Sequence, residues 1–221
     1  MFVGHFSAGL LGQRAAPRVS LGTLVLAAIL ADILFPILVL GGIERADIGS
    51  GRGAANYFHA IDIGFSHSLA TTAIWGALIG GAYFWRRRDR RGALVLVAAT
   101  LSHWMFDVIS HRPDMPLAPG VPARLGFGLW TSVPATLVVE GGLWIAAIVL
   151  YVRATRSKNS AGRWVFWGGV FILTLFWYNN IAGPPPPRPE DAPMASLLFF
   201  SLTVAWGYWM NRARVMKEGG P

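Results

Sequence analysis

Six apolar stretches divide this sequence, each close to the roughly twenty residues a helix needs to cross a bilayer. They fall near 19–41, 64–85, 92–111, 129–152, 163–182 and 194–211. A chain patterned this way has little choice of fold. In hydrocarbon every backbone amide must be satisfied internally, which leaves helices or a closed barrel, and runs of this length suit helices. Only 14% of the residues are charged, against about 25% in an ordinary soluble domain. The expected architecture is all-α: a single polytopic transmembrane domain over residues 1–221 with about six spans.

The connections between the stretches alternate in charge. One set holds Arg14 and Arg18, the arginines of 86–91, Arg153, Arg156, Lys158 and Arg163, and then Arg212, Arg214 and Lys217. These are fourteen of the 19 basic residues. The other set holds Arg45, Arg52, Arg112, Arg124 and Arg188. By the positive-inside rule both termini belong on the cytoplasmic side of the membrane. The net charge of +8 is thereby a topology signal, and no nucleic-acid partner is expected. With no cysteine, neither disulfides nor thiolate metal sites are available.

The outer connections differ from one another. Residues 42–63 contain Gly49-Ser50-Gly51-Arg52-Gly53 and read as an irregular loop. Residues 112–128 carry Pro113, Pro116, Pro119 and Pro122, too many for a helix to continue, and Pro184 to Pro187 read as a stiff extended link. Trp85, Trp130, Trp164 and Trp209 fall near span ends, as interface anchors do. No internal repeat is evident. Residues 1–13 are apolar but too short to span, so they form either an interfacial helix or a re-entrant half-helix buried in protein.

Chemistry concentrates within the third stretch. His103, Asp107 and His111 stand four residues apart and share a helix face. Ionisable groups are costly at membrane depth and mark functional sites there by default. At 1.5 Å per residue His111 lies about 12 Å from His103, too far to share one ion with it unaided. The same arithmetic puts Asp32 roughly 20 Å into the first span, with His103 and Asp107 about 16 and 22 Å into the third. It puts His67 about 27 Å above Trp85 and, if 1–13 re-enters, His5 about 13 Å above Arg14. Five ligand-type residues from four segments thus converge on the middle and outer half of the membrane.

Each candidate also has a plainer reading. His103 and Asp107 could form an imidazole–carboxylate hydrogen bond between helices, although N and O donors one turn apart suit zinc or a similar divalent ion. Asp32, isolated in hydrocarbon, would need a nearby cation to stay charged. His67 could sit at a helix start capped by Ser66. His111 could bind a second ion, contact substrate or simply sit at the interface. Glu140 could be a general acid or base, a ligand or a helix–helix hydrogen bond. His59 and Asp62 are expected to face water, and Asp114 to cap a turn or touch substrate. All five histidines precede residue 112. The chain therefore divides into a metal-site half, 1–114, and a half that reads as scaffold or substrate wall, 115–221.

Gly4-His5-Phe6-Ser7, the lone Asp32, Ser66-His67-Ser68 and Ser102-His103 with Asp107 together resemble one bacterial family. It is that of the membrane-bound metal-dependent hydrolases, also described as LexA-binding inner-membrane proteins and thought to be distantly related to zinc-dependent phospholipase C and single-strand nucleases. The resemblance covers roughly residues 1–114. It implies that His5, Asp32, His67, His103 and Asp107 are metal ligands and that the protein resides in the bacterial inner membrane. The chain departs from the family at two points. It has only Asp32 where the family often has Pro-Asp-x-Asp, and Gly64-Phe65-Ser66 where the family has Arg-Gly before Thr-His-Ser. Fewer carboxylates leave open whether one ion or two are held.

The expectation is a membrane-embedded hydrolase with one or two divalent ions, zinc by ligand type, acting on an ester or phosphoester of a phospholipid or other amphiphile. Asp107 or Asp32 would accept the proton from water, and His111, Arg112 and Glu140 would meet the substrate, with Arg112 or Arg124 receiving a phosphate. Two rivals stand beside it. One is an ion- or proton-coupled transporter with Asp32, Asp107, Glu140 and the histidines as a relay. The other is a structural or regulatory membrane protein whose polar residues only fix helix packing.

Overall fold

The computed structural model describes residues 1–53, 55–184 and 186–217, without the side chains of 46, 48–53 and 56–60. Among these residues it is mostly helical, with nine α-helices: α1 (Val3–Ala15), α2 (Leu21–Ala28), α3 (Leu30–Leu40), α4 (Gly64–His67), α5 (Leu69–Arg87), α6 (Arg90–Ser110), α7 (Val133–Ala154), α8 (Ser160–Ala182) and α9 (Ala192–Ala213). Three of them, α6, α7 and α8, are long and apolar enough to cross a membrane. The α2–α3 pair makes a fourth if it counts as one broken span. The expected six are thus reduced to three or four that qualify by length and composition. Helices α5 and α9 occupy the other two stretches, but glycine, threonine, tyrosine and tryptophan dilute their hydropathy. Apolar side chains on the outer faces, such as Leu94, Val138 and Phe171, are more than 60% exposed. Such surfaces suit lipid rather than water.

Helix starts follow capping chemistry. Side chains of Ser20, Ser68, Asp89, Ser132 and Asn159 accept from the first-turn amides of α2, α5, α6, α7 and α8. The α5–α6 turn is tight because Arg88 adopts φ 55°, ending one helix immediately before Asp89 caps the next. Ser66 is not the cap once expected near His67. That role falls to Ser68, and Ser66 bonds elsewhere.

The all-α expectation misses three small antiparallel pairs. Strand β1 (Arg45–Gly53) pairs with β2 (Asn56–Asp62) over the segment expected to be irregular, with breaks in register after Arg45 and Ile48. The side chains of Arg52 and His59 lie outside the described residues, while Asp62 is exposed as expected. In the proline-rich connection β3 (Met115–Pro116) pairs with β4 (Arg124–Leu125). Finally β5 (Thr155–Ser157) pairs with β6 (Arg214–Met216), where Arg214 donates to Thr155 and Ser157 and lies over the Phe166 ring at 4.7 Å.

Three further contacts gather the basic connections at one end of the bundle. Strands β5 and β6 join the ends of α7 and α9, Gln13 donates to Asn211, and Gly92 packs against Val19. From that end α1 runs inward to its N-terminus. It is buried along most of its length against α2, α6 and α7, with Phe6 and Leu10 in the main core beside Trp144, Tyr151 and Phe166. Residues 1–13 are therefore largely buried among the other helices rather than lying on the surface of the bundle.

A candidate metal centre at a helix break

The first apolar stretch does not run as one helix. It breaks at Ile29 (φ −113°, ψ 17°), and α2 and α3 meet at 55°. The last carbonyls of a helix lack partners within it. That of Ala28 accepts a hydrogen bond from His103 Nδ1 at 2.8 Å. On the far side of the break Asp32 sits in the first turn of α3. A second interruption, between α4 and α5 at Ser68, sets His67 at the end of a four-residue helix. Helix α6 runs unbroken and supplies His103 and Asp107 one turn apart, and α1 supplies His5.

These five residues, widely separated in sequence, form one buried cluster. His103 Nε2 lies 3.1 Å from Asp107 Oδ2 and 3.8 Å from Asp32 Oδ1. His67 Nε2 lies 3.6 Å from Asp32 Oδ1 and 4.0 Å from Asp107 Oδ2. The four separations close a ring of alternating nitrogen and oxygen donors. They bracket the roughly 3.3 Å expected between ligands bonded at about 2.0–2.1 Å around a tetrahedral ion. On the other side of Asp107, Oδ1 accepts from the Met1 amino group at 2.6 Å and lies 3.0 Å from His5 Nε2. The His5 and His103 rings stack at 3.8 Å. Two overlapping triads, His5–His103–Asp107 and Asp32–His67–His103, are compact enough to hold an ion.

Hydrogen bonding also indicates which ring nitrogens face the ring of donors. A carbonyl can only accept, so the bond to Ala28 requires a proton on His103 Nδ1. His103 Nε2 is then a buried atom that makes no hydrogen bond, despite lying 3.1 Å from a carboxylate oxygen. In the neutral imidazole Nε2 carries a lone pair, which is repelled by a facing carboxylate, and a cation shared by the two removes the conflict. Buried His/Asp groups that could bind a metal ion are thus present.

The cluster opens into a cavity of about 200 Å³ lined by His5, Asp32, His67 and Asp107. Its other walls are largely apolar, with Phe2, Phe35, Trp130, Trp177, Ile181 and Phe200 among them. Glu140 of α7 lines it too. One of its oxygens accepts from the Gly4 amide at 3.3 Å, and the other, Oε2, is buried and makes no hydrogen bond. His111 caps the end of α6 and faces the cavity, with Nδ1 3.0 Å from Asp114 Oδ1 and its ring against Trp130 at 4.6 Å. It stands apart from both triads, as the 12 Å estimate from sequence required.

One expectation changes. Arg112 and Arg124 are not among the residues lining the cavity. Helix α6 ends at Ser110, and the chain turns so that His111 faces inward and Arg112 outward. Asp107 Oδ1 accepts from the Met1 amino group, while Oδ2 faces the His67 and His103 imidazoles in the ring of donors. Sequence reasoning also passed over Glu44, buried at 1% exposure beside Ser66 and His67. Its one visible signal was an acid two residues after the Gly41-Gly42 pair that ends the first apolar stretch. The C-terminal half, read as scaffold or wall, supplies Glu140, Trp177 and Phe200 to the cavity. The chain matches no family model, no curated protein and no solved structure.

Proposed function

We propose that this protein is a membrane-embedded, metal-dependent hydrolase that cleaves an ester or phosphoester of a lipid or similar amphiphile. The observation that carries this reading is the closed ring of His67, Asp32, His103 and Asp107 with a hydrogen-bond-free His103 Nε2 at its edge. A divalent ion held there would lower the pKa of a bound water towards neutrality and polarise the oxygen of the scissile group. Asp32, His67, His103 and Asp107 would hold it, and His5 with Asp107 Oδ1 would complete the site or hold a second ion. The resemblance to the inner-membrane hydrolases points the same way. In this reading the protein resides in a bacterial inner membrane and the basic end of the bundle, where Gln13 of α1 meets Asn211 of α9, faces the cytoplasm, whereas Met1 lies inside at the metal centre.

The remaining residues divide the work. Glu140 lines the cavity, and its carboxylate, whose Oε2 makes no hydrogen bond, would accept a proton from the attacking water and return it to the leaving oxygen. His111, oriented by Asp114, and Trp130 shape the wall opposite. A cavity of about 200 Å³ admits a headgroup but not whole acyl chains, and its aromatic walls suit the neck of an amphiphile. With no arginine or lysine among its lining residues, an anionic group would be met by the ion and by His5 and His111. The test is elemental analysis of detergent-purified protein, followed by hydrolysis of mixed-micelle phospholipid. At least about one transition metal per chain is expected, lost together with hydrolysis in His103→Ala. A metal-free wild type would overturn the reading.

A further inference from the structure

We infer that Glu44 is a positioning residue of the metal centre, acting through Ser66 to hold the His67 imidazole with Nε2 towards the ligand ring. This rests on the metal reading of the cluster. Glu44 lies four residues beyond the end of α3, past a turn in which Gly42 adopts φ +71°. The turn is fixed by bonds from the Ile43 and Glu44 amides to the Leu38 carbonyl. It carries the Glu44 side chain inward, to 1% exposure.

Three donors converge on that side chain. The Phe65 and Ser66 amides donate to Oε1, each at 2.8 Å, and the Ser66 hydroxyl donates to Oε2 at 2.6 Å. Distances this short are typical of charge-assisted bonds to a carboxylate. A serine hydroxyl has one proton, and here it is committed to Glu44. Towards His67 Nδ1, 2.7 Å away, Ser66 Oγ can then only accept. The proton then sits on Nδ1, and in the neutral imidazole that binds a metal Nε2 presents its lone pair towards Asp32 and Asp107.

The arrangement parallels the role of the Ala28 carbonyl at His103 but uses a charged group. A carboxylate behind a ligating imidazole fixes its tautomer and orientation and raises its basicity. It also accounts for a buried acid on a connection where Arg45 and Asp62 are exposed and Asp47 is half-buried.

The test uses metal binding, so it needs no substrate. Wild type, Glu44→Gln, Ser66→Ala, His67→Ala and the Glu44→Gln/His67→Ala double variant are purified in detergent and stripped of metal. Zn²⁺ affinity is measured by competition with a chromophoric chelator, and Co²⁺ absorption spectra are recorded. Glu44→Gln and Ser66→Ala should each weaken Zn²⁺ binding by about 10–100-fold and shift the Co²⁺ bands. In the His67→Ala background Glu44→Gln should have no further effect. The inference is overturned if both single variants bind within twofold of wild type with unchanged spectra. It is also overturned if the Glu44→Gln effect persists undiminished without His67, because Glu44 then only supports the fold. Failure of wild type itself to bind either ion would overturn the metal reading, and this inference with it.

Discussion

Asp107 faces His5 on one side and His67 and His103 on the other, so its removal is the sharpest perturbation of the centre. Its Oδ2 forms two of the four edges of the donor ring, and its Oδ1 meets His5 and Met1. In Asp107→Ala the ring opens and only Asp32, His67 and His103 remain as a compact triad. Zn²⁺ at a hundred times its Kd stabilises the folded state by about 2.7 kcal/mol. For a chain of 221 residues each kcal/mol moves Tm by about 2–4 °C, so wild type should gain about 5–11 °C. Loss of a direct ligand should weaken binding by at least the ~100-fold seen when outer partners are removed. The same Zn²⁺ concentration would then add only about 0.4 kcal/mol, or about 1–2 °C. The baseline Tm of the variant will also fall, because breaking a buried ion pair costs about 3–5 kcal/mol. The quantity to compare is therefore the Zn²⁺-induced shift, measured by fluorescence-detected melting in detergent with and without chelator. A wild-type Tm that ignores both Zn²⁺ and chelator, or an equal shift in Asp107→Ala, would refute the reasoning and favour a purely hydrogen-bonded cluster.

Two other outcomes follow from particular contacts. Glu140→Gln should retain wild-type metal content while losing about 10²–10⁴-fold in phospholipid hydrolysis, because it removes a proton acceptor but no ligand. An unchanged turnover would assign Glu140 to packing alone. Gly207→Ala should destabilise by about 1–3 kcal/mol, since a Cβ there would lie 2.9 Å from Gly22 Cα, and backbone cannot yield as a side chain can. Detergent melting against wild type checks this, and an undiminished Tm would mean that the α2–α9 crossing can separate freely.

Much of the site was legible before folding because membrane depth is a one-dimensional quantity. Counting residues along each apolar stretch placed His5, Asp32, His67, His103 and Asp107 at similar heights, and they do meet. The same counting separated His111 from His103. It assumed straight helices, however, and the centre is built on two breaks. Nothing in Leu26-Ala27-Ala28-Ile29-Leu30 announces a break, since each of these residues is a fair or good helix former. The interruption at Ile29 is favoured by what it exposes, a carbonyl for His103 and a turn that delivers Asp32. Glu44 escaped notice for a related reason. Its importance lies in a turn that folds it back under α4, and turn geometry of that kind leaves little trace in composition.

The sequence by itself determined the class of structure, the grouping of basic connections and the identity of the ligand-type residues. Each follows from a local property: apolar run length, charge sign, or the cost of an ionisable group in hydrocarbon. Tertiary structure alone decided how those residues are used. It selected which imidazole nitrogens face the ring of donors, set the Met1 amino group against Asp107 Oδ1, turned Arg112 outward and His111 inward, and drew Glu140 from the opposite half into the cavity. Those outcomes depend on which atoms of distant segments come within about 3 Å of one another, and only the packing of the whole bundle sets such distances.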